Sequence, residues 1–394
     1  MGVWYNSREM KGGDPMETRK LYYEDGDTRE FTARVTGCRE ENGKFIITLD
    51  TTAFYPEGGG QAWDVGTLGE SLVQEVREAD GEVLHYCDGP LTVGAEVTGV
   101  IDWQRRFDLM QQHTGEHIIS GIVYQRFGYH NVGFHMGADV VTFDFDGEIS
   151  PEALQEIEQE ANRAIWENLP VHCFVPSREE LPQIFYRTKR ELPWPVRIVE
   201  VPGVDSCACC GIHVKTTGQV GLIKLLSCVK FHQGVRIEMV SGQRAYNYVN
   251  QIFAQNRRIS HLLSAKMPET APAVEALQKG LQEEKYRSAG LEKRLFGAIA
   301  EGYRGISRPL HFEEGLSGSA LRELAECIGK ICGGAIVCTG TDENGYTVCI
   351  TGEDARGVGT RAANALSGRG GGKEYAYQGL FRASRAQIEA YFGQ

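Results

Sequence analysis

Two histidines four residues apart, His113 and His117, constrain this chain more than any other feature of its sequence. They lie in residues 103–127, where apolar residues recur at helical spacing between a start signal, Asp102, and a stop signal, Gly128. Residues i and i+4 share one face of a helix, so both imidazoles can point at one metal ion. The pattern is not that of a zincin, because threonine rather than glutamate follows the first histidine. Taken alone, the pair fits two surface histidines equally well.

A second cluster makes a metal site the better interpretation. Cys209 and His213 stand in a C-x-x-x-H relation between a strand-like segment, residues 198–201, and a turn-like segment, residues 214–218, which predicts that they lie on a loop. One thiolate and three imidazoles suit Zn²⁺ or another borderline-soft divalent ion. We expect zinc, because nothing in the site requires redox chemistry. Closely spaced cysteines can also be core or redox residues, and Cys207 and Cys210 are the alternative ligands.

The composition is that of an ordinary globular protein kept in a reducing compartment. The apolar content is 41% and the charged content 24%, both usual for globular domains. No apolar run reaches the ~20 residues of a membrane helix, and the N-terminus lacks the apolar segment of a secretory signal. The eleven cysteines are scattered along the chain. We therefore expect reduced thiols, a cytoplasmic location and no membrane partner.

The formal net charge of −12 argues against a generally basic surface for nucleic acid. An RNA partner would need local basic patches instead. The candidates are Arg105-Arg106, residues 187–190, Arg257-Arg258, and Arg369 with Lys373.

The order of strand-like and helical patterns predicts an α+β, multidomain protein. Short alternating strands dominate residues 20–94, mixed strands and helices follow to about residue 241, and a Lys/Glu-rich helical region precedes a last α/β segment. The predicted parts are a disordered extension (1–15), a small N-terminal β-barrel (16–94), a zinc-binding domain with an antiparallel sheet (95–243), a helical or coiled-coil linker (244–300) and a C-terminal α/β domain with a Gly-rich segment (301–394).

Two glycine-rich segments are candidates for substrate contact. Gly58, Gly59 and Gly60 precede Gln61, and three consecutive glycines allow the backbone to approach another surface and present N–H groups to an oxygen. A flexible turn is the alternative interpretation. Residues 367–373 are expected to form a flexible loop near phosphates, with charge from Arg369 and Lys373; the order of a P-loop is absent.

In combination these residues resemble a known family. The two ligand pairs and residues 54–61, FYPEGGGQ, look like the editing domain of alanyl-tRNA synthetase, and still more like the free-standing alanyl-tRNA editing proteins of the AlaX type. Residues 198–205 are similar to that family too, and residues 367–373 resemble the C-terminal domain that the synthetase shares with DHH phosphoesterases. The long form matches best, over residues 20–394. The chain departs from the synthetase at Glu116, where the synthetase has threonine, and across residues 131–135.

The resemblance implies deacylation, in trans, of tRNA(Ala) mischarged with serine or, in second place, with glycine. It implies four zinc ligands: His113, His117, Cys209 and His213. The zinc ion would either keep an open position for water or only anchor the ester or the amino group of the substrate.

Roles for other residues complete the expected site. Glu116 is the candidate for orienting water or the substrate ammonium, and Gln61 is a second catalytic candidate that offers a donor and an acceptor. The expected substrate contacts are Gly58, Gly59, Gly60, Asn131, His135, Arg369 and Lys373. A homodimer through the linker or the C-terminal domain is also expected. Two other functions stay open: a tRNA-binding module with structural zinc, and a zinc hydrolase of small esters.

Overall fold

The computed structural model of this chain describes residues 17–188 and 192–393. The predicted extension, residues 1–15, lies outside the described residues, and so do Lys189 and Arg190 of one basic cluster. The chain divides into two compact units, Met1–Gln255 and Asn256–Gln394. The prediction of an α+β protein with several sheets is confirmed; the finer division into five parts stays a prediction.

The first part of unit 1 is a barrel of six strands in the order β2-β3-β7-β6-β5-β8. Alternate residues of β2, among them Phe31, Ala33 and Val35, point into its core, because successive side chains of a strand face opposite sides. The two remaining strands of this part, β1 and β4, pair in parallel. The elements are β1 (Arg19–Lys20), α1 (Leu21–Glu24), β2 (Glu30–Glu41), β3 (Lys44–Leu49), β4 (Thr51–Thr52), β5 (Gly66–Leu68), β6 (Ser71–Ala79), β7 (Glu82–Cys87) and β8 (Glu96–Ile101).

Helix α2 (Trp103–Phe127) has the predicted bounds. The side chain of Asp102 accepts a hydrogen bond from the backbone N–H of Arg105 at 3.1 Å, and Gly128 takes a left-handed φ of 72° that ends the helix. Every residue from Leu109 to Val123 is buried, polar residues included. Because a buried polar group is costly without a partner, the polar residues of α2 must be bonded to other parts of the chain.

The rest of unit 1 surrounds α2 with two antiparallel sheets and a second helix. The four-stranded sheet has the order β14-β15-β10-β9, and the three-stranded sheet the order β11-β12-β13. Helix α3 packs against α2 and β14, with the Ser150 hydroxyl accepting from the Ala153 N–H at its N-cap. The elements are β9 (Asn131–Met136), β10 (Val141–Phe145), α3 (Pro151–Trp166), β11 (His172–Phe174), β12 (Ile198–Val201), β13 (Asp205–Ala208), β14 (Ile223–Phe231) and β15 (Gly234–Ser241), with 3-10 turns at Leu181–Gln183 and Thr217–Val220.

Helix α4 (Gly242–Leu263) begins in unit 1 and continues into unit 2. After a 3-10 turn at Met267–Glu269, unit 2 holds a long helix, then a five-stranded sheet of order β16-β17-β18-β20-β19 and three shorter helices. The elements are α5 (Thr270–Gly302), β16 (Leu310–Phe312), α6 (Gly318–Cys332), β17 (Gly334–Thr341), β18 (Gly345–Gly352), α7 (Ala355–Ala365), β19 (Arg369–Lys373), β20 (Ala376–Phe381) and α8 (Arg385–Phe392). In the described residues no helix combines the length and apolarity needed to cross a bilayer.

The prediction of a flexible Gly-rich loop at residues 367–373 is wrong. Residues Arg369–Lys373 form β19, an edge strand paired antiparallel with β20. The pairing explains two of the glycines, because a Cβ at Gly370 would lie 2.4 Å from the carbonyl oxygen of Gln378, and a Cβ at Gly372 would lie 2.0 Å from that of Ala376. Glycine is a poor strand former by itself, so the sequence pattern of the segment gave no indication of this strand.

His85 lies in the barrel with no exposed surface. Its Nδ1 is 3.0 Å from the carbonyl oxygen of Ile47, which can only accept, so Nδ1 carries the proton. Nε2 therefore accepts from the hydroxyl of Thr52 at 2.8 Å. Burial lowers the pKa of His85 to about 4, although its hydrogen bond to Ile47 acts in the opposite direction.

We expect acid to destabilise the barrel through His85. The folded-state pKa lies below the unfolded value of 6.5, so between those pH values the unfolded state binds a proton that the folded state does not. The stability is fully present above pH 6.5 and is lost as the pH falls towards 4, by about 3 kcal/mol at roughly 1.4 kcal/mol per pKa unit. Denaturant titrations of the wild type and His85→Gln over this range isolate the effect, and equal pH slopes for the two proteins would contradict it.

Candidate metal centre

The four predicted ligands meet in unit 1. His113 and His117 come from α2, while Cys209 and His213 come from the irregular segment that follows β13. Their nitrogen and sulfur ligand atoms all lie within 4.8 Å of one another. The helix repeat brings the first two together, and the fold brings the second two to them.

Each histidine uses Nδ1 for a contact with the protein. The pairs are His113 with Gln61 Oε1 at 2.8 Å, His117 with Asp205 Oδ2 at 3.0 Å, and His213 with Thr114 Oγ1 at 3.1 Å. An amide or carboxylate oxygen only accepts, so Nδ1 of His113 and His117 carries the proton. Nε2 is then the atom of each ring that would bind a metal, as is usual when a second contact orients a histidine ligand, and Nε2 of His113 lies 3.4 Å from the sulfur of Cys209.

His213 supplies the clearest sign that the cluster is built for an ion. Its Nε2 is buried and has no hydrogen-bond partner among the described residues, a costly state for a polar atom. Burial and the neighbouring His113 hold the pKa of His213 well below its usual 6.5, so the ring stays neutral. A neutral imidazole with a free buried nitrogen fits a metal ligand.

The thiol of Cys209 is also tuned for metal binding. Burial would raise its pKa, but His113 and His117 outweigh burial and hold the pKa well below the usual 9.0. The N–H of Gly211 donates to the sulfur at 3.3 Å, which stabilises the thiolate further. The donor set of one thiolate and three imidazoles fits Zn²⁺.

Asp205 and Arg187 support His117 and were not predicted for this role. Arg187 Nε donates to Asp205 Oδ1 at 2.6 Å and Nη2 donates to Oδ2 at 2.9 Å, while Oδ2 also accepts from His117. Burial lowers the pKa of His117, but Asp205 and Cys209 more than compensate and hold it well above its usual range. A more basic imidazole is a stronger ligand. Arg187 was expected to contact RNA; its guanidinium instead holds Asp205.

Gln61 and the glycines before it lie beside the same centre. Gln61 Oε1 accepts from His113 and from the N–H of Ile212 at 3.1 Å, so it positions a ligand and the ligand-bearing segment. A Cβ at Gly60 would lie 2.5 Å from the ring of Phe134, which stacks on His113 with centroids 5.3 Å apart. The N–H of Gly58 donates within this turn, to the carbonyl oxygen of Gln61 at 3.1 Å, so it is not available to a substrate.

Glu116 takes part in a polar network with Asn131. Its Oε1 accepts from Asn131 Nδ2 at 2.5 Å and from the hydroxyl of Ser120. Asn131 Oδ1 is buried and has no partner in the described part of the chain. His135, on the same strand β9, is exposed. The network therefore fixes the amide of Asn131 with its carbonyl oxygen still unpaired.

Two expected residues have other environments. Arg106 has no exposed surface: it pairs with Asp64 and donates to the backbone oxygens of Gly26 and Ala53, so it is a core residue rather than an RNA contact. Cys207 groups with His117 and Asp205 as a second potential cluster, but burial raises its pKa to about 11, which keeps it a thiol.

Two parts of the chain match known protein families. Residues 196–244 match the family model described as the threonyl and alanyl tRNA synthetase second additional domain, and residues 15–105 match that of the class II (A) tRNA synthetases. The first match includes Cys209 and His213, and the second includes the barrel and Gln61. Both matches therefore place these parts of the chain in a class of domains related to tRNA synthetases.

Individual proteins similar to this chain identify its family more narrowly. The chain is 30% identical over 360 residues to alanyl-tRNA editing protein Aarsd1-A of Xenopus laevis, covering 88% of this chain and 87% of that protein. It is 29% identical over 400 residues to Aarsd1 of Mus musculus, covering 94% and 96%. It is 33% identical to the alanine–tRNA ligase of Thermofilum pendens over 92% of this chain, but spans only 42% of that ligase. The chain belongs to the family of alanyl-tRNA editing proteins, which confirms the resemblance.

We expect Asp205→Asn to weaken metal binding by about 10- to 100-fold, because the carboxylate that orients His117 loses its charge. Competition with a chromophoric chelator measures the affinity, and thermal unfolding measured alongside checks the fold. Asp146→Asn is the matched control, since Asp146 lies beside His130 at 3.4 Å on the surface. Equal metal affinity for Asp205→Asn and the wild type would contradict the assignment.

Proposed function

We propose that this protein is an aminoacyl-tRNA deacylase, a hydrolase that removes the amino acid from mischarged tRNA(Ala). The observation that carries the proposal is the buried centre of three imidazoles and one thiolate in a chain whose relatives are named alanyl-tRNA editing proteins. Ser-tRNA(Ala) is the chief substrate proposed, and Gly-tRNA(Ala) the second.

The proposed metal is Zn²⁺, held by His113, His117, Cys209 and His213. When bound, it supplies positive charge for a water molecule, the ester carbonyl or the amino group of the substrate. Four protein ligands would fill the coordination sites that a structural zinc ion usually has, so we favour the positioning role. The chain's own contribution is to hold the three histidines through Gln61, Asp205 and Thr114, and the sulfur of Cys209 through the N–H of Gly211.

Asn131 is the proposed determinant of serine over alanine. Its Oδ1 is unpaired in the described structure while Nδ2 is held by Glu116, so it can accept a hydrogen bond from a substrate hydroxyl or ammonium. A site that bonds a hydroxyl rejects the analogue without one, because its polar group is left unpaired. Hydrolysis of Gly-tRNA(Ala) without hydrolysis of Ala-tRNA(Ala) would rest on steric exclusion of the alanine methyl group.

Glu116 is the proposed group for orienting water. Both contacts from Ser120 and Asn131 fall on Oε1, which leaves Oε2 as the carboxylate oxygen for a water molecule or the substrate ammonium. The ester is already an activated acyl group, so orientation of water and charge stabilisation are the main requirements.

We also propose a cytoplasmic location, a homodimer and two residues that contact tRNA. The eleven cysteines form no disulfide in the described residues, which supports a reducing compartment and the cytoplasm. Exposed leucines along α5, such as Leu277 and Leu281, support a homodimer through the helical region. For tRNA contacts we retain Arg369 and Lys373, both exposed on β19.

We expect His117→Ala to abolish deacylation of Ser-tRNA(Ala), and Asn131→Ala to slow it about 10- to 100-fold through the loss of one buried hydrogen bond. Release of labelled serine is measured, with Ala-tRNA(Ala) and Gly-tRNA(Ala) as parallel substrates. Asn247→Ala is the matched control, because Asn247 is exposed on α4.

The same assay separates the two other functions. A free seryl ester cleaved as fast as Ser-tRNA(Ala) would indicate a small-ester hydrolase. Tight tRNA binding without deacylation would indicate a binding module with structural zinc. A fully active His117→Ala protein with normal fold would refute the role assigned to the metal centre.

A further inference from the structure

Unit 2 contains a cavity of about 600 Å³ between α6 and the sheet. This volume lies in the range of small-molecule sites, about 300–1,000 Å³. None of the four metal-centre ligands belongs to unit 2, so the cavity is not part of the metal centre.

The cavity exists because the two helices cover different parts of the sheet. Helix α6 packs on β17 and β18, while α7 packs on β18, β20 and β19. The two helices lie on opposite faces: Arg322 of α6 bonds to Gln378, whereas Gly359 of α7 lies against the ring of the next residue, Tyr377. On the α6 side, β20 and β19 therefore form the floor of an open groove.

Cationic side chains line this groove from two directions. One flank of α6 carries Arg322, Glu326 and Lys330 at helical spacing. Lys373 contributes from the sheet, because it pairs with Ala376 and so shares the face of Gln378. Three cations against one carboxylate make a locally positive site in a chain of net charge −12. The charge indicates an anionic ligand.

Gly371 lies on the floor of the cavity, and neither its backbone conformation nor its neighbours require a glycine at this position. A Cβ at the neighbouring Gly370 or Gly372 would collide with β20, at 2.4 and 2.0 Å from its carbonyl oxygens, but a Cβ at Gly371 would meet nothing within 4 Å. Gly371 also lacks the positive φ that favours glycine. A side chain here would project into the cavity, on the face shared with Gln378. Glycine at this position keeps the space free for a ligand.

We propose that this cavity binds a nucleoside diphosphate. Arg322, Lys330 and Lys373 contact the phosphate groups. The ring of Tyr375, 64% exposed at the rim, stacks on the base, and Glu326 accepts a hydrogen bond from a ribose hydroxyl.

Isothermal titration of the full-length protein with ADP tests the proposal, with pyrophosphate and adenosine as partial ligands. ADP is expected to bind more tightly than pyrophosphate, and adenosine only weakly, because the cations act on phosphate. Lys373→Ala is expected to weaken ADP binding by about tenfold, and Gly371→Glu to abolish it, since a carboxylate would face the phosphates.

Matched controls lie on α5. Gly290 also has nothing within 4 Å of a Cβ, and Lys285 is exposed, so Gly290→Glu and Lys285→Ala are expected to bind ADP as the wild type does. Absence of ADP binding at about 1 mM, or binding unaffected by both cavity variants, would overturn the proposal. If Gly371→Glu left ADP binding unchanged and reduced only tRNA binding, the cavity would serve tRNA alone and the proposal would be wrong. The ADP titration uses no tRNA and the deacylation assay uses no ADP, so the two proposals fail separately.

Discussion

The burial of α2 on nearly every side is the constraint on which the first unit depends. From Leu109 to Val123 every residue of this helix is buried, yet the segment contains glutamines, histidines, a glutamate, a threonine and a serine. Each of these must be bonded inside the protein, since an unpaired buried polar group costs about 1–3 kcal/mol. Some of the partners are polar residues of the candidate site, namely Gln61, Asn131, Asp205 and His213.

The barrel contributes to this arrangement through a buried ion pair. Arg106, near the start of α2, pairs with Asp64, whose carboxylate also accepts from the N–H of Tyr55 at 2.6 Å. Removal of either partner of such a pair strongly destabilises the folded protein, because the other charge would be left buried alone. It holds the turn that ends in Gln61 against the helix that carries His113. The barrel therefore supports Gln61, whose side chain accepts a hydrogen bond from His113 of the metal centre.

Polar residues around the metal centre are of two kinds: some orient a metal-binding histidine, and others can contact a substrate. Gln61, Asp205 and Thr114 each occupy one histidine Nδ1, so their effect reaches the metal through an imidazole. Asn131 differs, because its unpaired oxygen is directed by Glu116 and Ser120 but satisfied by neither. An atom left in this state inside a well-bonded network is where a substrate group can be recognised.

Features that depend on residues close together in the chain could be predicted from the amino-acid sequence alone. The bounds of α2 follow from Asp102 and Gly128, and the shared direction of His113 and His117 follows from the helix repeat. The second half of the centre, Cys209 and His213, was recognisable from its own spacing and its resemblance to a family. The contact of His117 with Asp205 spans 88 positions, and no local pattern could have revealed it. The folded chain was needed to see that Arg106 and Arg187 pair with buried carboxylates, and that the glycines at 370–372 lie in an edge strand. Packing between distant segments selects such partners, so local sequence does not reveal them.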